Sequence, residues 1–241
     1  MPCEIRVGAS GWHYKHWRGP FYEPTLPPAR MLEFYIRHFD TVEINNSFYR
    51  LPSEDALKAW RDSTPPNFVF AVKASRFITH NKKLSDPQSA LEKFFPLVEI
   101  LRPKLGPILF QLPPQWKVNS ERLEAFLNVL PKRHLYAFEL RNPTWHTGAI
   151  YEILRAHNAA FCIYDLAGFQ SPLEITADFT YARLHGPLGP YQGSYSEAAL
   201  RTWAERIRKW LRKLKRIYVY FDNDQEAFAV RNALELKRLL R

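Results

Sequence analysis

The chain has 241 residues, 46% hydrophobic and 15% aromatic, with a formal net charge of +10 and two cysteines. That length suits one large α/β domain or two small ones and buries enough surface to fold without a disulfide or structural metal. Two cysteines exclude a disulfide scaffold, the aromatic content excludes a disordered chain, and no apolar run is long enough to span a bilayer. Met1-Pro2-Cys3-Glu4 lacks the basic-then-apolar pattern of a signal peptide, so a reduced, cytoplasmic protein is expected.

Ile5–Ser10 is the first predicted strand and Thr41–Phe48 the second; a helix over Ser53–Arg61 follows, opened by Ser53. Phe68–Ala74 is the third strand. The helical pattern of Gln88–Leu101 contains Pro96, which should kink or restart it. Ile108–Leu112 is the fourth strand, and Ser120–Leu130 places Leu123, Phe126, Leu127 and Leu130 at helical spacing. Leu135–Leu140 and Ala160–Asp165 are the fifth and sixth strands. The connection from Asp165 to Thr180 is too short for a full helix, so strands six and seven are joined irregularly. Thr180–His185 is the seventh strand, Ser196–Leu214 an amphipathic helix, Ile217–Phe221 the eighth strand and Gln225–Leu240 the closing helix.

Strands alternating with helices imply a parallel sheet. Eight of them, in a single unit over residues 1–241, predict a (β/α)8 TIM-like barrel. A doubly wound open sheet would carry a G-x-G-x-x-G fingerprint after its first strand, whereas the first turn here reads Gly8-Ala9-Ser10-Gly11-Trp12.

Reading each strand by twos separates an apolar from a polar parity. Glu43, Asn45, Ser47 and Tyr49 share one side of the second strand; Lys73, Gln111, Glu139 with Arg141, Asp165, Arg183 with His185, and Asp222 follow from the others. This polar parity is expected to face the barrel interior near the strand C-termini, where TIM-barrel chemistry is placed. The inward set holds four acids (Glu43, Glu139, Asp165, Asp222) and three bases (Lys73, Arg141, Arg183). An unpaired buried charge costs several kcal/mol, so they form either a self-neutralising network or a site.

Read as a site, Glu43 and Glu139 are acid/base candidates whose cationic neighbours would split their pKa values. Lys73 is an electrophilic or anion-binding group, or an amine nucleophile if its pKa is depressed. His185 is a proton shuttle, and Asp165 joins the catalytic candidates. Arg141 and Arg183 suit a carboxylate or phosphate, while Ser10, Asn45, Gln111 and Asn223 orient polar groups. Trp12, Tyr14, Tyr49 and Trp145 are expected to wall a cleft for a flat or sugar-like ligand. No H-E-x-x-H, paired-Cys, G-x-S-x-G or Walker A motif is present, and no cofactor is expected; a divalent metal would have Glu139, Asp165, His185 and Asp222 as ligands.

Gly8-Ala9-Ser10-Gly11-Trp12 with Tyr14 and Trp17, Phe21-Tyr22, Glu43-Ile44-Asn45 with Ser47-Phe48-Tyr49, and Phe70-Ala71-Val72-Lys73 form an ordered series of motifs. Gln111-Leu112-Pro113, Glu139-Leu140-Arg141 with Trp145, Arg183-Leu184-His185-Gly186, Tyr195-Ser196, and Tyr220-Phe221 with Asn223-Asp224 complete it. The series resembles the domain-of-unknown-function family 72, the YecE-like family. The resemblance implies a TIM-like barrel and carries no established activity. His13 and His16 fall where the family pattern fixes no residue, and Gln225-Glu226-Ala227 replaces a segment that is often smaller and contains glycine.

Three functions compete. One is an enzyme acting by acid/base chemistry on a small anionic, phosphorylated or sugar-like substrate, with glycoside hydrolysis as one reaction class. A nucleic-acid-binding or repair protein is the second, and a non-catalytic ligand-binding protein the third. Arg201–Arg216 alone holds eight bases against Glu205, seven of the ten excess charges. It reads as the solvated face of one outer helix, which disfavours a nucleic-acid partner.

Overall fold

Eight parallel strands wrap around a barrel axis in the computed structural model, which describes residues 3–241. Strands β1 (Glu4–Ala9), β2 (Thr41–Ile44), β3 (Val69–Lys73), β4 (Leu105–Leu112) and β5 (Tyr136–Leu140) are followed by β6 (Ala160–Leu166), β7 (Phe169–Gln170), β8 (Phe179–Leu184) and β9 (Arg216–Phe221). The order is β1-β9-β8-β6-β5-β4-β3-β2. The two-residue β7 is the exception: it folds back antiparallel on β6 and fills the helix-free connection expected after Asp165.

Helices α1 (Met31–Tyr35), α2 (Glu54–Asp62), α3 (Gln88–Val98), α4 (Ser120–Val129), α5 (Gly148–Ala156), α6 (Glu197–Trp210) and α7 (Phe228–Leu240) cover the barrel. Ser53, Asn119 and Ser196 cap α2, α4 and α6 by accepting the backbone N–H of Ala56, Arg122 and Ala199. The chain does not restart at Pro96: α3 runs through it and tightens into a 3-10 turn at Glu99–Leu101. α6 stops at Trp210, so the basic run is not one helix; its last member, Arg216, opens β9. No helix among the described residues is long and apolar enough to cross a membrane.

The inner layer of the barrel is Ala71, Leu109, Ala137, Ala160, Cys162, Phe179, Tyr181, Tyr218 and Tyr220. This fixes the parity of β6 as Ala160, Cys162 and Tyr164, not Ile163 and Asp165 as read from the sequence. Ile163 packs in the layer under the helices instead. The second strand also ends earlier than expected. After Ile44 the chain makes a 3-10 turn at Asn46–Phe48, and the alternation that would have aligned Ser47 and Tyr49 with Glu43 is broken.

Where β1 meets β2 the ladder is reduced to a single bridge between Ser10 and Glu43, with the Gly11 N–H donating to the Glu43 carbonyl at 2.8 Å. Further down, the Tyr35 hydroxyl stands in for the ladder. It accepts from the Ala9 N–H (2.9 Å) and donates to the Thr41 carbonyl (3.1 Å). Gly8 permits this approach, since a Cβ there would lie 2.5 Å from the Thr41 oxygen.

Candidate active site

Parallel strands that carry apolar residues low in the barrel and polar ones at their C-terminal ends converge on Arg183 of β8, which is fully buried. Its Nη1 donates to Glu139 Oε2 (2.8 Å), and its Nη2 to Glu43 Oε1 (2.8 Å) and Asp222 Oδ2 (2.9 Å). A planar fork with five donors can gather acids from several strands at once. Each acid has further partners. Glu43 accepts from Ser10 Oγ (2.5 Å) and Tyr181 Oη (2.6 Å), and Glu139 Oε1 accepts from Arg141 Nε (2.5 Å).

His185 lies between Asp222 (Nδ1 to Oδ2, 3.0 Å) and Glu139 (Nε2 to Oε1, 3.3 Å). An ionised carboxylate only accepts, so Nδ1 donates to Asp222. Nε2 lies near guanidinium nitrogens of Arg183 (3.3 Å) and Arg141 (3.4 Å) as well as Glu139 Oε1. Burial pushes the Glu139 carboxyl up, but Arg141, Arg183 and His185 overcome it and hold it well below the usual carboxylate range. Burial likewise opposes ionisation of Asp222, and Arg183 and His185 bring it below its ordinary value. The floor of the mouth is an ionic network in which the carboxylates of Glu43, Glu139 and Asp222 meet the guanidiniums of Arg183 and Arg141. Arg183 Nε has no hydrogen-bond partner among the described residues, and the Lys73 ammonium offsets the remaining negative charge from a distance.

Lys73, at the end of β3, stands apart from that network. It is 5% exposed, yet among the described residues no carboxylate lies within 4.0 Å of its Nζ. Its near partner is the Phe48 ring, 4.2 Å from Nζ to centroid. Ser47 Oγ donates to the Lys73 carbonyl (2.6 Å) and fixes the base of the side chain against the turn after β2. Burial, joined by Arg183, brings the Lys73 pKa down to about 8 against the opposing pull of Glu139, Asp222 and Glu43.

Of the other residues expected to bind substrate, Gln111 is nearly buried in the mouth, beside Glu139 in the β4–β5 register, and its Nε2 donates to the Leu112 carbonyl. Next to the network, Gly11, Trp12, His13, Tyr14, Asn45 and Tyr49 line a cleft of about 270 Å³. Tyr14 donates to the Ser10 carbonyl (2.8 Å), Trp12 packs edge-on to Trp60, and Tyr49 is largely exposed at the rim. Asn45 Oδ1 is buried there with no hydrogen-bond partner among the described residues.

Three expected site residues are elsewhere. Asp165 has the outward parity, and its carboxylate accepts from Tyr195 Oη (3.1 Å), away from Arg183. Trp145 is fully buried, and its indole N–H donates to the Trp116 carbonyl (2.7 Å), so it supports the wall from behind. Asn223 is also fully buried and ties the end of β9 to the Gly193 carbonyl and Asn232. The ligand set proposed for a divalent cation is thereby divided. Among the described residues no three His, Cys, Asp or Glu side chains are arranged to hold a metal ion.

Others were not among the sequence candidates. Tyr181 sits under Glu43 and donates to it. His80, in a π-helical turn over Phe77–Asn81, packs edge-on to Phe48. Burial, with Lys73 and Arg141, pushes its pKa down to about 4. Gly186, at φ +119°, lets the loop after β8 turn back so that the Tyr191 N–H donates to the His185 carbonyl (2.7 Å) and its ring lies beside the imidazole. The sequence signal for both is position alone: each lies in a loop following a strand C-terminus.

The chain matches the family described as "Protein of unknown function DUF72" over residues 6–241. It is 25% identical to the UPF0759 protein YunF of Bacillus subtilis, over 98% of this chain and 94% of that one. It is 33% identical to the UPF0759 protein YecE of Escherichia coli K12 over a shorter match, 58% of this chain and 49% of that one. The crystal structure of a DUF72 family protein from Thermotoga maritima superposes with a TM-score of 0.90 at 31% identity, covering 98% of this chain and 99% of that one. A DUF72 family protein from Enterococcus faecalis shares the fold at a TM-score of 0.77 and 20% identity, covering 98% and 95% of the two chains. With the match spanning nearly the whole length and the same barrel in a solved relative, the chain belongs to the DUF72 family.

Proposed function

We propose that the C-terminal barrel mouth is an enzyme site for a small anionic substrate. The observation that carries this reading is Lys73, a nearly buried cation with no carboxylate within 4.0 Å among the described residues, beside a network whose acids contact other groups. Such a group destabilises the empty protein by about 1–3 kcal/mol and is relieved when an anion binds. Arg141 is the second anion ligand, with only its Nε committed to Glu139 at short distance.

Arg183, Glu43, Asp222 and Ser10 then serve as a fixed floor that sets the field and orients Glu139 and His185. Those two are the acid/base pair, and Gln111 and Asn45 face polar groups of the substrate. Trp12, Tyr14 and Tyr49 give the adjoining cleft an aromatic wall. Glycoside hydrolysis fits less well, because Glu43 and Glu139 share one guanidinium and the cations around Glu139 hold it ionised, leaving it no proton for a leaving group. The reading needs no cofactor and no macromolecular partner.

Titration calorimetry with inorganic phosphate and with oxalate at low salt tests the proposal. Binding that is lost in Lys73→Met and weakened in Arg141→Met is expected. No binding, or binding indifferent to Lys73, would overturn it.

A further inference from the structure

Resting on the reading of the mouth as a small-molecule site, we propose that Lys73 is a Schiff-base lysine. Its amine condenses with the carbonyl carbon of a small aldehyde or ketone that also bears a carboxylate or phosphate, a 2-oxo acid being the simplest case.

The geometry sets Lys73 apart from a structural lysine. Structural buried lysines are held by carboxylates or carbonyls, as Lys104 is here, its Nζ donating to the carbonyl of Thr64 (2.6 Å) and to that of Arg61. Lys73 Nζ has a ring on one side and no acid in contact among the described residues, and desolvation together with the Arg183 charge outweighs the pull of Glu139, Asp222 and Glu43, the combination that activates amine nucleophiles. With its pKa near 8, roughly one amine in ten is neutral at pH 7, against fewer than about one in a thousand for an ordinary lysine. His80 packs on the same Phe48 ring and, at about 4, adds no positive charge beside it at pH 7.

The step balances without any co-reactant. The ammonium gives a proton to solvent, the neutral amine's lone pair attacks the carbonyl carbon and forms the C–N bond as the C=O π bond breaks, and the carbonyl oxygen takes a proton from solvent. The nitrogen proton passes through solvent to the departing hydroxyl. The C–O bond breaks, water leaves, and a protonated imine remains. The anionic group of the substrate stays with Arg141.

The full-length protein is incubated with glyoxylate and, separately, pyruvate, each with sodium cyanoborohydride at pH 7.5, and the modified lysines are mapped by peptide mass spectrometry. The expected result is reductive alkylation of Lys73 about tenfold or more above any other lysine. Inorganic phosphate should suppress it, and it should be absent in Lys73→Arg. The site map comes from the unmodified sequence, so a poorly folding variant does not undo it. Labelling spread over surface lysines without enrichment at Lys73 overturns the proposal. If phosphate still binds through Lys73 in that case, the anion-site reading survives; if phosphate binding also fails, both fall.

Discussion

The Lys73 ammonium lies 4.2 Å from the centroid of the Phe48 ring, and that ring is its partner in place of a carboxylate. A cation–π contact contributes about 0.5–2 kcal/mol, less than the several kcal/mol it costs to desolvate an ammonium. Lys73 therefore weakens the fold that carries it, as groups placed for function often do.

Lys73→Met is accordingly expected to stabilise the protein by about 1–3 kcal/mol at pH 7. The pH dependence gives a sharper check. The unfolded lysine keeps its proton up to its ordinary value of 10.5, the folded one only to about 8. The unfolded state thus binds more protons between these values, and wild-type stability from this group rises with pH across that window. The gain in Tm from Lys73→Met should be full at pH 7 and smaller at pH 9.5. A gain that does not change with pH would mean that the ammonium is paired.

Arg183 acts in the opposite sense. Arg183→Met leaves Glu43, Glu139 and Asp222 buried together without their shared cation, a change expected to cost about 3–5 kcal/mol. In the wild type, Glu139 and Asp222 sit below their ordinary values of 4.5 and 3.8. Their contribution is present above those values and is lost as pH falls through the folded ones. The acid-unfolding midpoint, followed by circular dichroism, should move to higher pH in the variant. An unmoved midpoint would place the acid sensitivity elsewhere.

The limits of the sequence show in the same residues. Where a strand pairs apolar with charged positions, as in β5 with Phe138 and Leu140 against Glu139 and Arg141, period two gives the inward face directly. In β6 the run Ala160-Phe161-Cys162-Ile163-Tyr164 is apolar on both sides, because a parallel strand under helices is buried on both faces. The contrast vanishes there, and the charge of Asp165 suggested a direction that the pairing of Tyr164 with Arg183 contradicts. Trp145 and Asn223 were misread for a different reason. Motif position put them near strand ends, but their burial behind the wall depends on the carbonyls of Trp116 and Gly193, both remote in sequence.

Glu139→Gln probes the field at Lys73. Glu139 pulls the Lys73 pKa upward, so its neutralisation should lower that value further and speed labelling of Lys73 by an amine reagent at pH 7. Removing one negative charge near Arg141 and Lys73 should also tighten phosphate binding about three- to tenfold. Slower labelling together with weaker phosphate binding would show that Glu139 holds the two cations in place more than it opposes them.

The seam between β1 and β2 separates stability from site geometry. Tyr35→Phe leaves the buried Ala9 N–H and Thr41 carbonyl without their shared hydroxyl, at a cost of about 1–3 kcal/mol, while the strands stay at their spacing. Gly8→Ala forces a methyl to within 2.5 Å of the Thr41 oxygen and must push the strands apart, at a similar cost. Only the second change reaches the site, because the Ser10–Glu43 bridge closes the same seam and Ser10 Oγ holds Glu43 at 2.5 Å. A Glu43 released from Ser10 alters the grip of Arg183 and hence the field at Lys73. Both variants should lose Tm, but phosphate affinity should fall only in Gly8→Ala. Unchanged affinity in both would mean that Tyr181 and Arg183 suffice to position Glu43.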